Sequence, residues 1–427
     1  MHILILGGTG FIGAAVAARL SAEGHIVTCL SRKPGRMRIR QPAIRWIAAD
    51  LSTMTAAADW TQVLDSQDVV ISCAGALQDG LSDHLAATQA DAMLALYAAA
   101  QKSTRPLIVQ ISARTSGAAS GLPFLATKRR ADDALAASGL PYVIIRPALV
   151  LGRNAHGGFA LLRALAAFPF CLPLVHASNP VETVSLDDVA TAVSDAVAGR
   201  LPVGTDIDVA GSQTLSLSEL VGLHRQWLGL PSAPVISIPP AAARPITLLA
   251  DLAGRLGWRS PLRSTAMTVM SEGVRTSSAA GAYAQVKTAA ATLAANPAGV
   301  QDLWFARLYL TKPLMIGGLS VFWLLSGLIP LARLEQASAH FLPFMPALTA
   351  TALTVLTCLL DVALGAAILV RPFARRALLA MLATSLAYLA GSVVLEPALW
   401  LDPLGPMVKV IPALILTLAT LAILDER

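Results

Sequence analysis

Charge is scarce in this chain. Only 14% of its 427 residues are Asp, Glu, Lys or Arg, against about 25% in an ordinary soluble domain. Hydrophobic residues make up 55% and mean hydropathy is +0.63. Disorder is excluded, because it needs low hydrophobicity and high net charge. A purely soluble enzyme is also argued against. Cysteine is sparse: Cys29, Cys73, Cys171 and Cys358 lie far apart and form no Cys-x-x-Cys pair. That excludes a disulfide framework and a zinc ribbon, and points to a reducing compartment. The seven histidines are scattered, with no HExxH and no carboxylates at ligand spacing, so no metal site is expected. No GxSxG elbow marks a hydrolase. The net charge of +6 is modest, and its meaning depends on where it sits.

The apolar excess lies at the C-terminal end. Residues 314–332 and 377–395 carry no charge, 341–370 carry only Asp361, and 403–424 carry only Lys409. Each run approaches the ~20 residues that a helix needs to cross a bilayer. Four transmembrane helices are therefore expected, at about 314–332, 343–370, 376–395 and 404–424. Arg371, Arg375 and Arg376 lie between the second and third runs, whereas Glu396 and Asp402 follow the third. The positive-inside rule then puts the 371–376 loop in the cytoplasm. Both termini and the N-terminal domain face the same side of a multi-pass cytoplasmic (inner) membrane protein. Arg333 is a minor exception. Trp304, Trp323 and Trp400 suit interfacial anchoring. No secretory signal is expected at the N-terminus, which has no basic region before its short apolar run.

Within the second run, Asp361 stands where a charge costs about 2.5–3.5 kcal/mol on the insertion scale. Lys409 and His340 are its candidate partners by type. The functional reading is a proton site or one for a quinone's polar group. The packing reading is a hydrogen bond to Thr354 or Thr357.

The first 300 residues read differently. HILIL at 2–6 ends in Gly7-Gly8-Thr9-Gly10-Phe11-Ile12-Gly13, and a helical pattern follows over 14–20. Strand, glycine turn and helix form the opening of a dinucleotide-binding fold. Glycine suits the tight turn and the close backbone approach to a pyrophosphate, and the helix N-terminus presents free N–H groups to it. Strand-like runs recur at 26–30, 44–48, 68–72, 107–111 and 142–146, with helical patterns at 84–101 and 124–138. The expected fold is an α/β Rossmann-like doubly wound parallel sheet, followed by an all-α transmembrane four-helix bundle.

The end of the second strand bears on the cofactor. An NAD site usually places Asp or Glu there; this chain has Ser31-Arg32-Lys33. Cations suit a 2′-phosphate, so NADP is favoured over NAD. Residues 32–40 (RKPGRMRIR) hold more basic side chains than one phosphate needs. The remainder could rest on anionic lipid. Nucleic acid is not expected as a partner, since no aromatic interleaving or known module supports it. Residues 247–257 and 283–295 read as short helices, and Asn296-Pro297 with Gly299 marks a boundary. The expected domains are 1–235, a helical substrate-side or transition segment at 236–300, and 301–427.

GGTGFIG at residue 7, Asp50-Leu51, Cys73-Ala74-Gly75, Arg146-Pro147 and VSLDDVA at 184–190 resemble the extended and atypical short-chain dehydrogenase/reductase (SDR) superfamily. Trp304-Phe305-Ala306-Arg307, the apolar runs and GPMVKVIP at 405–412 resemble the DoxX-like membrane domain. The first resemblance implies cofactor contacts from Gly7, Thr9, Gly10, Phe11, Ile12, Gly13, Ser31, Arg32, Lys33, Asp50, Leu51, Cys73, Ala74, Gly75, Lys128 and Pro147. Gly7, Gly10 and Gly13 would underlie the pyrophosphate, Arg32 would reach the ribose phosphate, and Asp50 and Leu51 would border the adenine. The family's catalytic Tyr-x-x-x-Lys reads Phe124-Leu-Ala-Thr-Lys128 here. Phenylalanine cannot transfer a proton. Ser112 and Lys128 remain as catalytic candidates, with Ser116 the alternative to Ser112.

Two functions follow. One is a membrane-anchored SDR-type oxidoreductase or epimerase-like protein acting on a small lipophilic or quinone-like substrate. The other is a non-catalytic nucleotide-binding, sensing or assembly component of a membrane complex. Membrane lipid, a membrane protein and a second copy of the chain are the candidate partners.

Overall fold

The computed structural model describes residues 1–75, 79–81, 84–114, 118–275, 281–283, 286–395, 397–403 and 405–425. It divides into two units, Met1–Asp251 with Ser260–Ala306, and Leu252–Arg259 with Arg307–Arg427.

The first unit is built on short apolar strands: β1 His2–Leu6, β2 Ile26–Ser31, β3 Arg45–Ala48, β4 Val69–Ser72, β5 Leu107–Ile111 and β6 Tyr142–Pro147. Their spatial order is β3-β2-β1-β4-β5-β6, continued by Thr205–Val209 and the two-residue strand Gly281–Ala282. Every pairing in this sheet is parallel. Parallel sheets are covered on both faces, which is why these runs are almost continuously apolar. Alternation along β1 serves the two faces separately. Ile3 and Ile5 join Val16, Ala17, Leu20, Val189 and Val193 on one side. Leu4 and Leu6 join Trp60, Leu96 and Leu135 on the other. Each fully buried Ile or Leu contributes about 1.5–3 kcal/mol relative to exposure.

The covering helices include α1 Phe11–Ala22, α2 Gly35–Arg40, α3 Thr61–Leu64, α4 Ala92–Ala100 and α5 Pro123–Ala137. α1 buries Gly13, Val16, Ala17 and Leu20, a single helical stripe. α5 opens on Pro123, whose missing N–H costs nothing in a first turn. The VSLDDVA segment caps the Leu186–Val197 helix: Ser185 Oγ accepts from the Asp188 amide at 2.9 Å. Of the two short helices expected at 247–257 and 283–295, one runs over Pro240–Arg255 and the other only over Ala289–Ala294.

In the second unit, three helices are long and apolar enough to cross a membrane: Val300–Ala332, Ala347–Ala367 and Arg371–Val394, the last belonging to the Arg371–Leu395 helix. The fourth expected span, 404–424, is helical only over the 13 residues Val410–Ala422. Turn residues precede that helix through Lys409, where Gly405 adopts φ +55°. The first helix begins 14 residues before the uncharged run it was inferred from, since Arg307 and Lys312 fit a helix without fitting an apolar pattern. Arg371, Arg375 and Arg376, expected in a loop, form the first turns of their helix. Trp323 does not sit at an interface position; it is 3% exposed within the bundle core with Leu319, Leu378 and Met381. Asp361 also has partners other than those expected. It accepts from Ser326 and Tyr388, and Thr354 and Thr357 bond carbonyls of their own helix instead.

Candidate functional site

Parallel strands end at the same edge of their sheet, and strand order reverses between β1 and β4. Open α/β sheets bind ligands at that reversal, beyond the strands' carboxyl ends. Here it gathers Gly7–Gly13 after β1, Ser31 ending β2, Asp50 after β3, Cys73–Gly75 after β4, Ser112 after β5 and Pro147 ending β6.

The β1–α1 turn is made for glycine. Gly7 has φ +77°, and a Cβ on it would lie 3.0 Å from the Ala74 backbone. A Cβ on Gly13 would lie 2.3 Å from the Gly7 carbonyl oxygen, closer than real Cβ atoms come. The amide of Gly10 donates to that same carbonyl at 2.8 Å, and Ala14 donates to Gly10 at 3.0 Å. α1 has no side-chain cap and no acidic residue in its first turn. Its first amides and positive dipole end therefore suit an anion. At the end of β2, the buried Ser31 Oγ has no hydrogen-bond partner within the chain. A buried hydroxyl left this way is costly unless a ligand or water meets it. The glycine cradle and this hydroxyl together fit a dinucleotide. Arg32 and Lys33 follow, both exposed.

The other expected contacts are less uniform. Phe11 turns toward His156, with ring centroids 5.7 Å apart, and Ile12 packs against the core. Thr9 is partly buried and Leu51 is buried. Asp50 Oδ1 is taken up locally, accepting from the Ser52 amide at 3.0 Å and the Ser52 hydroxyl at 2.9 Å. Cys73 and Cys29 are poor nucleophiles, because burial pushes both thiols up to about 12.

Lys128 Nζ donates to the carbonyl of Ile111 at 2.9 Å. A Cβ built on Gly75 would lie 3.6 Å from the same nitrogen, so Lys128 reaches the ends of both β4 and β5. Burial holds its ammonium below the usual lysine value, with Asp132 and Cys73 acting in the other direction. Phe124 stands one turn earlier on α5.

Ser112 is brought to the same edge, but its hydroxyl is committed elsewhere. It donates to Asp132 Oδ2 at 2.6 Å. Asp132, 3% exposed, also accepts from Gln110 Nε2 at 2.6 Å and Arg146 Nη2 at 3.0 Å. Tyr97 donates in turn to Gln110, and Arg146 also pairs with Asp206. Sequence reasoning missed this buried network. Its one local signal is Asp132, four residues after Lys128 and between the buried Ala131 and Leu135. Ser116 lies outside the described residues.

Comparison with known proteins agrees with both halves. Residues 7–198 match the NAD(P)H-binding family and residues 320–418 match the DoxX-like family. An uncharacterized protein of Mycobacterium bovis is 26% identical over 252 residues, 59% of this chain and 26% of that protein. The chain thus spans about a quarter of the length of its mycobacterial relatives. A human epimerase family protein is 59% identical over 39 residues, 9% of this chain and 13% of its own. Among solved structures, the Bordetella bronchiseptica enzyme WbmH in complex with NAD+ is 19% identical, with 56% of this chain and 86% of that one covered, at a TM-score of 0.48. This chain joins an NAD(P)-binding, SDR-like Rossmann domain to a C-terminal DoxX-like domain.

Proposed function

We propose that the chain is a membrane-anchored NADP(H)-binding protein whose Rossmann unit holds the nucleotide without tyrosine-dependent proton transfer. One observation carries this reading. Phe124 stands a turn before Lys128 on α5, where the resemblance calls for tyrosine, while the glycine cradle and Lys128 are retained. A phenyl ring has no proton to exchange. Ser112 is a poor replacement, because its hydroxyl already donates to a buried carboxylate.

In this reading the first amides of α1 and Gly7, Gly10 and Gly13 hold the pyrophosphate. Ser31, Arg32 and Lys33 take the 2′-phosphate, which gives NADP preference over NAD. Leu51 borders the adenine, Cys73–Gly75 follow the middle of the cofactor, and Lys128 holds the nicotinamide ribose. A bound nicotinamide would supply a hydride donor or acceptor. The three apolar helices anchor the protein in a membrane, with the Arg371–Arg376 segment and the N-terminal unit on the cytoplasmic side.

A second reading is an oxidoreductase or epimerase-like enzyme acting on a lipophilic or quinone-like substrate. The retention of Lys128 favours it. Sustained loss of NADPH absorbance with a quinone or lipid aldehyde would decide for this enzyme.

The NADP preference has its own test. Charge-assisted hydrogen bonds are worth about 1.5–3 kcal/mol each, so Arg32→Glu should weaken NADPH binding about 100-fold. NADH affinity should change far less. Equal affinity for NADPH in the variant and the unaltered protein would remove Arg32 from the phosphate site.

A further inference from the structure

Three membrane-length helices bring a carboxyl, a phenol and an alcohol together. Asp361, 4% exposed, belongs to the Ala347–Ala367 helix. Its Oδ2 accepts from Ser326 Oγ of the Val300–Ala332 helix at 2.7 Å, and its Oδ1 accepts from the Tyr388 hydroxyl of the Arg371–Leu395 helix at 2.8 Å.

Close backbone packing builds this place. A Cβ on Gly327, beside Ser326, would lie 2.4 Å from the Cys358 carbonyl oxygen, and one on Gly365 would lie 2.8 Å from the Leu324 nitrogen. Ser320 Oγ donates to the Gly365 carbonyl at 2.7 Å, tying the same two helices together. Small residues allow such an approach between membrane helices, and interhelical hydrogen bonds then hold it.

No basic side chain pairs with Asp361 among the described residues. The titratable groups facing it are Tyr388 from the third helix and Cys358 from its own, and the first helix contributes the Ser326 hydroxyl. A carboxylate in an apolar bundle without a cation is costly, and such residues mark proton and ion pathways when they lack a structural counter-charge.

The partners suit both protonation states. Hydroxyls donate and accept. With Asp361 ionised, both partners donate to it. With Asp361 protonated, its O–H donates to one hydroxyl oxygen, and that hydroxyl turns its hydrogen away. A helical serine can turn to the carbonyl one turn back. The proton comes from water, the local charge rises by one unit, and no heavy atom has to move.

We propose that Asp361, with Ser326 and Tyr388, is a proton-binding site inside the membrane unit. The site is independent of the nucleotide reading. It makes the bundle responsive to protons and places the proton on a named oxygen pair.

Infrared difference spectroscopy on the full chain in lipid nanodiscs tests this directly. A step from about pH 9 to about pH 5 spans the range over which a displaced carboxyl titrates. The unaltered protein should gain a protonated-carboxyl C=O band that shifts in heavy water. Asp361→Asn should lack that band. Tyr388→Phe keeps the carboxyl and should move the band, because one hydrogen bond is gone; it reports even where Asp361→Asn fails to insert. No band in the unaltered protein, the same band in Asp361→Asn, or an unmoved band in Tyr388→Phe would overturn the assignment.

Discussion

Gly13→Val should abolish dinucleotide binding and destabilise the N-terminal unit by about 1–3 kcal/mol, the usual cost of overpacking. Even a methyl at this position would lie 2.3 Å from the Gly7 carbonyl oxygen and 3.2 Å from Gly8 Cα. The opposing atoms are backbone, so no side chain can swing aside. Relief has to come from moving the first turn of α1 away from the β1 turn. That movement spoils the alignment of the α1 amides, on which anion binding depends. The change should show as lost fluorescence or calorimetric response to NADPH together with a lower unfolding midpoint. Gly24→Ala separates the two effects. Gly24 also has positive φ, but open space surrounds it and it lies beyond the far end of α1, so nucleotide binding should survive. Normal NADPH affinity in Gly13→Val would mean that the pyrophosphate does not lie on this turn.

Asp132→Ala should cost more stability, about 3–5 kcal/mol, the range for removing one partner of a buried ion pair. Its carboxylate receives Ser112, Gln110 and Arg146 at once. Arg146 would keep Asp206, but Ser112 and Gln110 would lose a buried acceptor. Lys128 would also lose the negative charge that counters its desolvation. Its ammonium should then give up its proton at a lower pH than in the unaltered protein. Denaturant unfolding checks the first effect, and nitrogen-15 NMR of the lysine side chain checks the second. The neighbouring Asp133 is exposed, and Asp133→Ala should change stability by no more than about 0.5 kcal/mol. Equal effects of the two alanine changes would show that the network is not what holds the sheet edge together.

The nucleotide-binding half was legible because its backbone demands particular residues. A left-handed Gly7 and a crowded Gly13 leave no alternative to glycine, so geometry is written into local sequence. The apolar strands were legible for a similar reason, since burial on both faces leaves no room for alternation. Asp132 was not legible. Its burial depends on Gln110 from β5 and Arg146 from β6, distant in sequence, and alone it reads as one more charge on a polar helix. Ser112 was located at the right edge, but its hydrogen-bond partner decides what its hydroxyl can do. In the membrane half, uncharged runs located the helices and misjudged their ends. A helix continues through Arg307 and Lys312 wherever its backbone bonds continue, whereas hydropathy stops at a charge. Asp361 stood out as a charge in an apolar run. Its partners Ser326 and Tyr388 are set by packing that periodicity does not reveal.

The whole account depends on a pyridine nucleotide binding at the β1–α1 turn of the intact protein. The most direct measurement is calorimetric titration of the full chain, purified in detergent, with NADPH and with NADH. Saturable one-site binding is expected, tighter for NADPH, without oxidation of the bound nucleotide in the presence of quinones or lipid aldehydes. Failure of both nucleotides to bind at about millimolar concentration, equivalent to a binding free energy weaker than about −4 kcal/mol, would contradict it.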